Sequence, residues 1–353
     1  MKVAIITDTH AGARNDSPAF AKFFQKFFDE VFWPEIDWRG IRRILHLGDL
    51  VDRRKYINYQ TLANLRKQYI EPSIARDIQQ DIIVGNHDCT YRNTNEINAI
   101  RELFGKYPIK IHIDPTEINI DNLKILLLPW ICDGNREATA RLVETTDASI
   151  VMGHLELLGF EVYRGLVATE GVDTKAFQRF KMVLSGHYHY KSSSGNIHYL
   201  GSPYDIIWSD AGDPRGFHIF DTETLELEFI KNPYSMHHKI FYDDAGKELS
   251  DVLKEFDFSL YTNTIVKVVI VNKTNAFWFD RFITQLELSN PAELQIVEDH
   301  FNADSVPDDN IIREADDTLT IFRNSIKAIE KDVDKDRLER LMVGLYEEAM
   351  RIE

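Results

Sequence analysis

The sequence predicts an α/β fold, and two observations carry that reading. Short apolar runs alternate with longer amphipathic stretches along the first two thirds of the chain. Alternation of this kind builds a buried sheet covered by helices. Near residue 200 the pattern changes to consecutive strand-like runs, so the sheet region closes with antiparallel strands.

Residues 3–6 read as the first buried strand, and 17–31 as a helix. A strand at 43–47 follows, then a helix at 59–79 on which Leu62, Leu65, Tyr69, Ile74 and Ile78 form one apolar stripe. Residues 82–84, 124–128, 149–152 and 182–184 are further buried strands, with near-continuous apolar runs. Residues 197–200, 216–221 and 225–229 are strands again, and Asp221-Thr222-Glu223-Thr224 turns the last two into a hairpin. Asn232-Pro233-Tyr234 marks a break. From 236 to about 297 the pattern is that of a small α+β unit, with strands at 239–242, 264–271 and 292–297 and a helix at 276–288. Residues 302–310 read as an acidic linker. Two helices follow, with apolar stripes at Leu319, Phe322, Ile326 and Ile329, and at Leu338, Leu341, Met342, Leu345 and Ala349. The expected divisions are 1–232, 233–301, 302–310 and 311–353.

A chain of 353 residues can bury a large core and carry appendages. It holds 57 acidic and 41 basic side chains, for a formal net charge of −16. Residues 298–353 contribute 16 acidic and 8 basic groups, half of that excess. This is not the basic composition of a free-standing nucleic-acid binder. Cys89 and Cys132 make neither a disulfide framework nor a Cys-x-x-Cys pair, and reduced thiols in a reducing cytoplasm are expected. The opening residues are too short for a signal peptide, and no apolar stretch is long enough to span a bilayer. A soluble, cytoplasmic protein is the expectation.

Five motifs each follow an apolar run. They are Asp8-Thr9-His10, Gly48-Asp49-Leu50-Val51-Asp52, Gly85-Asn86-His87-Asp88, Gly153-His154 and Gly186-His187-Tyr188-His189. Any one alone reads as an ordinary turn or a buried histidine. Together they supply what a two-metal site needs: a carboxylate able to bridge, with imidazole, carboxamide and carboxylate donors to complete each ion. Loops at the carboxyl edge of an α/β sheet converge on one crevice. The glycines before Asp49, Asn86, His154 and His187 are expected to permit sharp turns. Oxygen and nitrogen donors allow Mn, Mg, Fe or Zn, and thiolate plays no part. Basic residues near the motifs, namely Arg14, Arg53, Arg54, Lys55 and Arg92 beside Tyr91, read either as solvated loop charge or as phosphate-backbone contacts. The sequence has no Gly-x-x-x-x-Gly-Lys-Ser/Thr loop, so ATP binding in that manner is not expected.

Over about residues 1–230 the five motifs resemble those of the calcineurin-like metallophosphoesterase superfamily. Leu128-Pro129-Trp130, Gly201-Ser202-Pro203 and Asp213-Pro214-Arg215-Gly216-Phe217 are similar to the SbcD-type nuclease subunits of SbcCD recombination and repair complexes. The segment from Gly153 to Phe160 looks closest to bacteriophage recombination endonuclease subunits. The resemblance implies a β-sandwich flanked by helices, in four layers α/β/β/α, with a small α+β capping domain and a helical C-terminal tail. It implies two divalent ions, manganese first and magnesium as the other choice. Asp8, His10, Asp49 and His189 would hold one; Asp49, Asn86, His154 and His187 would hold the other. His87 would be the general acid or transition-state stabiliser, oriented by Asp52, a position where some members carry histidine. The implied activity is 3′→5′ exonuclease on duplex DNA and single-strand endonuclease. The implied partners are DNA, a second copy of the chain through helices 59–79 and 95–104, and an SbcC-type coiled-coil ATPase. The tail stripes, with Leu319, Phe322, Ile326, Ile329, Leu338, Leu341 and Leu345, are expected to dock on that ATPase. The location would be host-cell cytoplasm for a phage-encoded chain. Phosphoprotein phosphatases and cyclic-nucleotide phosphodiesterases share the metal site and are the rival reading.

Overall fold

A computed structural model describes residues 1–163, 166–168 and 171–297, and in the tail Ile326, Asp334, Lys335, Arg337, Leu338, Leu341 and Met342. The chain opens with four parallel strands: β1 (Lys2–Ile6), β2 (Arg43–His46), β3 (Gln79–Ile83) and β4 (Lys110–His112). It then crosses to a second sheet through β5 (Thr116–Ile120), β6 (Leu123–Leu128) and β7 (Ile150–His154). After a small hairpin of β8 (Glu161–Tyr163) and β9 (Leu166–Val167), it completes that sheet with β10 (Met182–Gly186), β11 (Ser192–Ser194) and β12 (Ile197–Tyr199). β13 (Gly216–Asp221) and β14 (Leu227–Lys231) return antiparallel to the edge of the first sheet. The two orders are β14-β13-β1-β2-β3-β4 and β11-β12-β10-β7-β6-β5.

The sheets lie face to face because successive side chains of each strand point to opposite sides. Val3, Ile5, Leu45, Leu47 and Ile83 meet Ile125, Leu127, Ile150, Met152 and Leu184 between the sheets. The alternate residues Ala4, Ile6, Ile44 and Ile82 face outward onto Phe20, Phe24, Phe27 and Phe28 of the first helical layer. Leu126, Leu128, Val151 and Val183 do the same toward Val143 and Phe177 on the other side. Four layers result, as the family resemblance implies, and near-continuous apolar strands are the signature of burial on both faces.

Both long helices of the first layer differ from expectation in a related way. The first runs as Pro18–Phe27, then a wide π turn at Phe28–Phe32, then Trp33–Arg39, ending at a left-handed Gly40. The second runs as Tyr59–Leu65, a π turn at Arg66–Ile70, and Glu71–Ala75. Each π turn ends just before a proline, Pro34 or Pro72. Proline has no N–H to give the carbonyl four residues back. The last N–H before it reaches back five residues instead, from Trp33 to the Phe28 carbonyl and from Glu71 to the Arg66 carbonyl. The Gln68 carbonyl, which Pro72 leaves without its helical donor, accepts the Trp33 Nε1–H at 2.8 Å. The second helix ends at Ala75 rather than 79, because Asp77 adopts a left-handed conformation (φ 53°) and Gln79 already begins β3.

Beyond β14 the chain forms a parallel three-stranded sheet, β15 (His237–Asp243), β16 (Ile265–Asn272) and β17 (Glu293–Val297). Its helix Ala276–Leu288 packs Phe279, Phe282 and Leu286 on Ile240, Tyr242, Val266 and Val268. Asp205 ties it to the larger sandwich, accepting from the main-chain N–H groups of Met236 (3.0 Å) and His237 (3.3 Å). The expected linker 302–310 lies outside the described residues. Among the described residues, no helix is long and apolar enough to cross a membrane.

Candidate metal centre

All five motifs sit at the carboxyl ends of parallel strands: β1, β2 and β3 of one sheet, β7 and β10 of the other. The centre therefore lies where the two sheets meet along one edge. The bends that aim the donors fall mostly on the donors themselves. Asp8 (φ 52°), His10 (φ 41°), Asp49 (φ 53°) and His187 (φ 86°) all occupy the left-handed region. Such residues cost about 1–3 kcal/mol each and persist only where their surroundings hold them. Of the four motif glycines only Gly48 has a positive φ, 93°. Gly85 is required for another reason: a Cβ there would stand 2.2 Å from Asp49 Oδ1. At Gly85 close approach, rather than turning freedom, is what requires a glycine.

Asp49 is the hub. Its Oδ2 lies 3.2 Å from His154 Nε2 and 3.7 Å from His10 Nε2, and its Oδ1 accepts the His87 main-chain N–H at 2.8 Å. On one side of it, His10 Nε2 and His189 Nε2 stand 3.0 Å apart, with Asp8 completing a cluster whose donor atoms lie within 4.8 Å of one another. On the other side, Asn86 Oδ1 lies 2.9 Å from His154 Nε2 and 3.0 Å from His187 Nδ1, and Asp49, His154 and His187 form a second such cluster. The seven side chains expected as ligands thus fall into two groups that share Asp49.

The electrostatics follow from burial. Burial opposes the Asp49 charge, but the His154 imidazole, with His87 and His10, holds its carboxyl well below the ordinary value. Burial likewise opposes a charged His154, yet Asp49 and Asp8 raise it to about 9. Burial and the like charge of Asp49 push Asp8 up to about 6, against the pull of His154. Burial, with His154 nearby, takes His187 down to about 3 and leaves its ring neutral. Two buried carboxylates beside neutral imidazoles form a set of bare oxygen and nitrogen donors with one compensating proton on His154. That set fits divalent cations, which would replace the proton and relieve the carboxylate repulsion.

Surrounding groups hold the donors. His154 Nδ1 meets the Leu47 carbonyl at 2.8 Å. Asp88, unassigned from the sequence, accepts four main-chain N–H bonds, from Asp49, Gly85, Leu50 and Val51 at 2.9–3.1 Å, and so clamps the second motif to the third. Trp130 stands against His187, with ring centroids 5.3 Å apart. Asp52 holds His87 through its main-chain carbonyl, 2.7 Å from Nδ1, while its carboxylate lies 3.3 Å from His10 Nδ1.

Of the candidate phosphate contacts, Lys55, Tyr91 and Arg92 are exposed. Arg53 is already engaged by Asp16 (2.9 Å) and Asn15 (2.8 Å) and lies over the Tyr56 ring. Arg14 is half-buried in a left-handed turn with Asn15 and Asp16. Arg54 is half-buried, and burial together with the Arg92 charge lowers its pKa. In the tail, Ile326 is buried, Leu338 half-buried and Leu341 58 % exposed. Leu319, Phe322, Ile329 and Leu345 lie outside the described residues.

A sequence profile of the calcineurin-like phosphoesterase family matches residues 1–191. Exonuclease subunit 1 of Enterobacteria phage T4 is 33% identical over 363 aligned residues, covering 99% of each chain. The SbcD component of the SbcCD nuclease from Staphylococcus saprophyticus is 25% identical over 215 residues, 52% of this chain and 56% of its own.

Proposed function

Because this chain belongs to the calcineurin-like phosphoesterase family, we propose that it is a metal-dependent DNA nuclease that hydrolyses phosphodiesters at the Asp49 centre. The observation that carries the reading is the convergence of seven donors from five strand ends into two groups sharing one carboxylate. Asp8, His10, Asp49 and His189 hold one cation, and Asp49, Asn86, His154 and His187 the other, with manganese as the physiological ion. When bound, such ions would supply Lewis-acid polarisation of the phosphate and activation of the attacking water.

The remaining work falls to the protein. His87 Nδ1 faces a carbonyl, which only accepts, so Nδ1 carries the hydrogen and Nε2 is left toward the crevice. Burial lowers the His87 pKa, so the ring is neutral until Nε2 takes a proton from solvent as the negative phosphate binds beside it. From Nε2 it then protonates the departing 3′-oxygen, leaving a 5′-phosphate. Arg54, Lys55, Tyr91 and Arg92 provide backbone contacts that position DNA without reading its sequence. The relatives' names support the substrate: one is an exonuclease subunit, the other a component of a named nuclease complex. The whole assembly on this reading is a homodimer through 59–79 and 95–104, with the tail docked on an SbcC-type coiled-coil ATPase, acting 3′→5′ on duplex ends and endonucleolytically on single strands.

The test is degradation of 3′-labelled and internally labelled duplex and single-stranded DNA, with Mn²⁺ or Mg²⁺, beside a simple phosphate monoester. Metal-dependent release of nucleoside 5′-phosphates is the expected outcome. Hydrolysis of the monoester with DNA left intact would instead make the protein a phosphatase.

A further inference from the structure

The first-cation half of the centre is held from behind by a segment the chemistry does not use. Arg215 is only 3% exposed, and its guanidinium faces four groups. It donates to the main-chain carbonyl of His189 and to Ser202 Oγ (2.8 Å), pairs with Asp210 at 2.7 Å, and lies 3.6 Å from Asp213. Asp210 is fixed in turn, its other oxygen accepting the main-chain N–H groups of Ile206 (2.8 Å) and Ile207 (3.1 Å). The His189 carbonyl also accepts the Ser202 N–H at 3.2 Å. A planar guanidinium holds its donors in a fixed fork and so fixes a carbonyl, a hydroxyl and a carboxylate in one geometry, whereas the three donors of an ammonium rotate about a single nitrogen and impose no such geometry. By contrast, His154 of the other half rests on the Leu47 carbonyl just after β2, away from this segment.

We propose that Arg215, held by Asp210, is a positioning residue that fixes His189 and thereby sets the affinity of one of the two cation sites and not the other. This rests on the two-cation reading above. Groups behind a metal ligand orient it, and losing them costs about 10- to 100-fold in metal affinity.

The experiment is Mn²⁺ titration of the full-length chain by calorimetry, with free Mn²⁺ followed in parallel by electron paramagnetic resonance. Wild type is compared with Arg215→Lys, which keeps a buried charge opposite Asp210, and with Asp210→Asn, which keeps an acceptor for Ile206 and Ile207. Circular dichroism confirms folding. Two bound ions are expected in every folded variant, one with affinity lowered about 10- to 100-fold and one within about twofold of wild type. Equal weakening of both, or of neither, would overturn the proposal. Failure of both variants to fold would make the pair purely structural and overturn it too. Wild type binding no Mn²⁺ would instead remove the two-cation reading itself.

Discussion

Asp49 carries a charge where charge is most costly. It is 1% exposed and faces His154, which burial alone would strip of its proton. An unpaired buried carboxylate costs several kcal/mol, so the cation-free chain keeps a proton on His154 as the counter-charge. A sign follows. With His154 raised to about 9, its Nε2 is protonated at neutral pH and must be bare to act as a ligand. Cation uptake at pH 7 is therefore expected to release about one proton per chain, and affinity to climb with pH until about 9. Calorimetry in buffers of different ionisation enthalpy reads that proton directly; uptake without release would show His154 is not a ligand. Asp88 is the other decisive residue. Asp88→Asn leaves one acceptor oxygen where two now serve four N–H groups. Each buried N–H left unmatched costs about 1–3 kcal/mol. Two of them are expected to lower urea-unfolding stability by about 2–6 kcal/mol and to disturb the second and third motifs together.

At the scale of elements, the strands that carry ligands were legible because parallel strands buried on both faces read as continuous apolar runs. β3 was placed at 82–84 rather than Gln79–Ile83 because Gln80 and Asp81 interrupt that signal. Asp81 is tolerated inside because Arg43 pairs with it (2.8 Å) and His112 Nε2 lies 2.9 Å from its carboxylate, partners that only the fold brings near. β11 is Ser192–Ser194, an edge strand with no apolar pattern to read. The candidate ligands stand in five motifs that the sequence displays, whereas the groups that hold them do not. Arg215 lies 26 residues from His189, and Asp52 reaches His87 through a carbonyl that every residue possesses. The π turns were hidden in the same sense, since proline announces a break and not the detour that absorbs it. Trp33→Phe removes the Nε1 donor to the Gln68 carbonyl while keeping the ring over Tyr69. It is expected to lower stability by about 1–2 kcal/mol in denaturant unfolding, with no effect on cation binding. An unchanged midpoint would mean that the Gln68 carbonyl finds another donor.

At the scale of the whole molecule, charge sets the division of labour. Half of the −16 belongs to residues 298–353, and part of the remainder is the buried carboxylates that two divalent ions would offset. Two divalent ions would halve the negative charge of residues 1–297, from −8 to −4, and so ease the approach of a polyanion that the bare chain repels more strongly. A chain ending at Phe301 is thus expected to keep cation binding and cleavage while losing co-purification with a coiled-coil ATPase. Retained association would place the dock elsewhere. The most direct measurement of the central claim is cleavage of end-labelled duplex DNA by wild type and Asp49→Asn across a Mn²⁺ series. Cutting that rises with Mn²⁺ in wild type, and is lost in a folded Asp49→Asn chain, is the result expected of a shared-carboxylate centre. Cutting without added metal, or undiminished in Asp49→Asn, would contradict it.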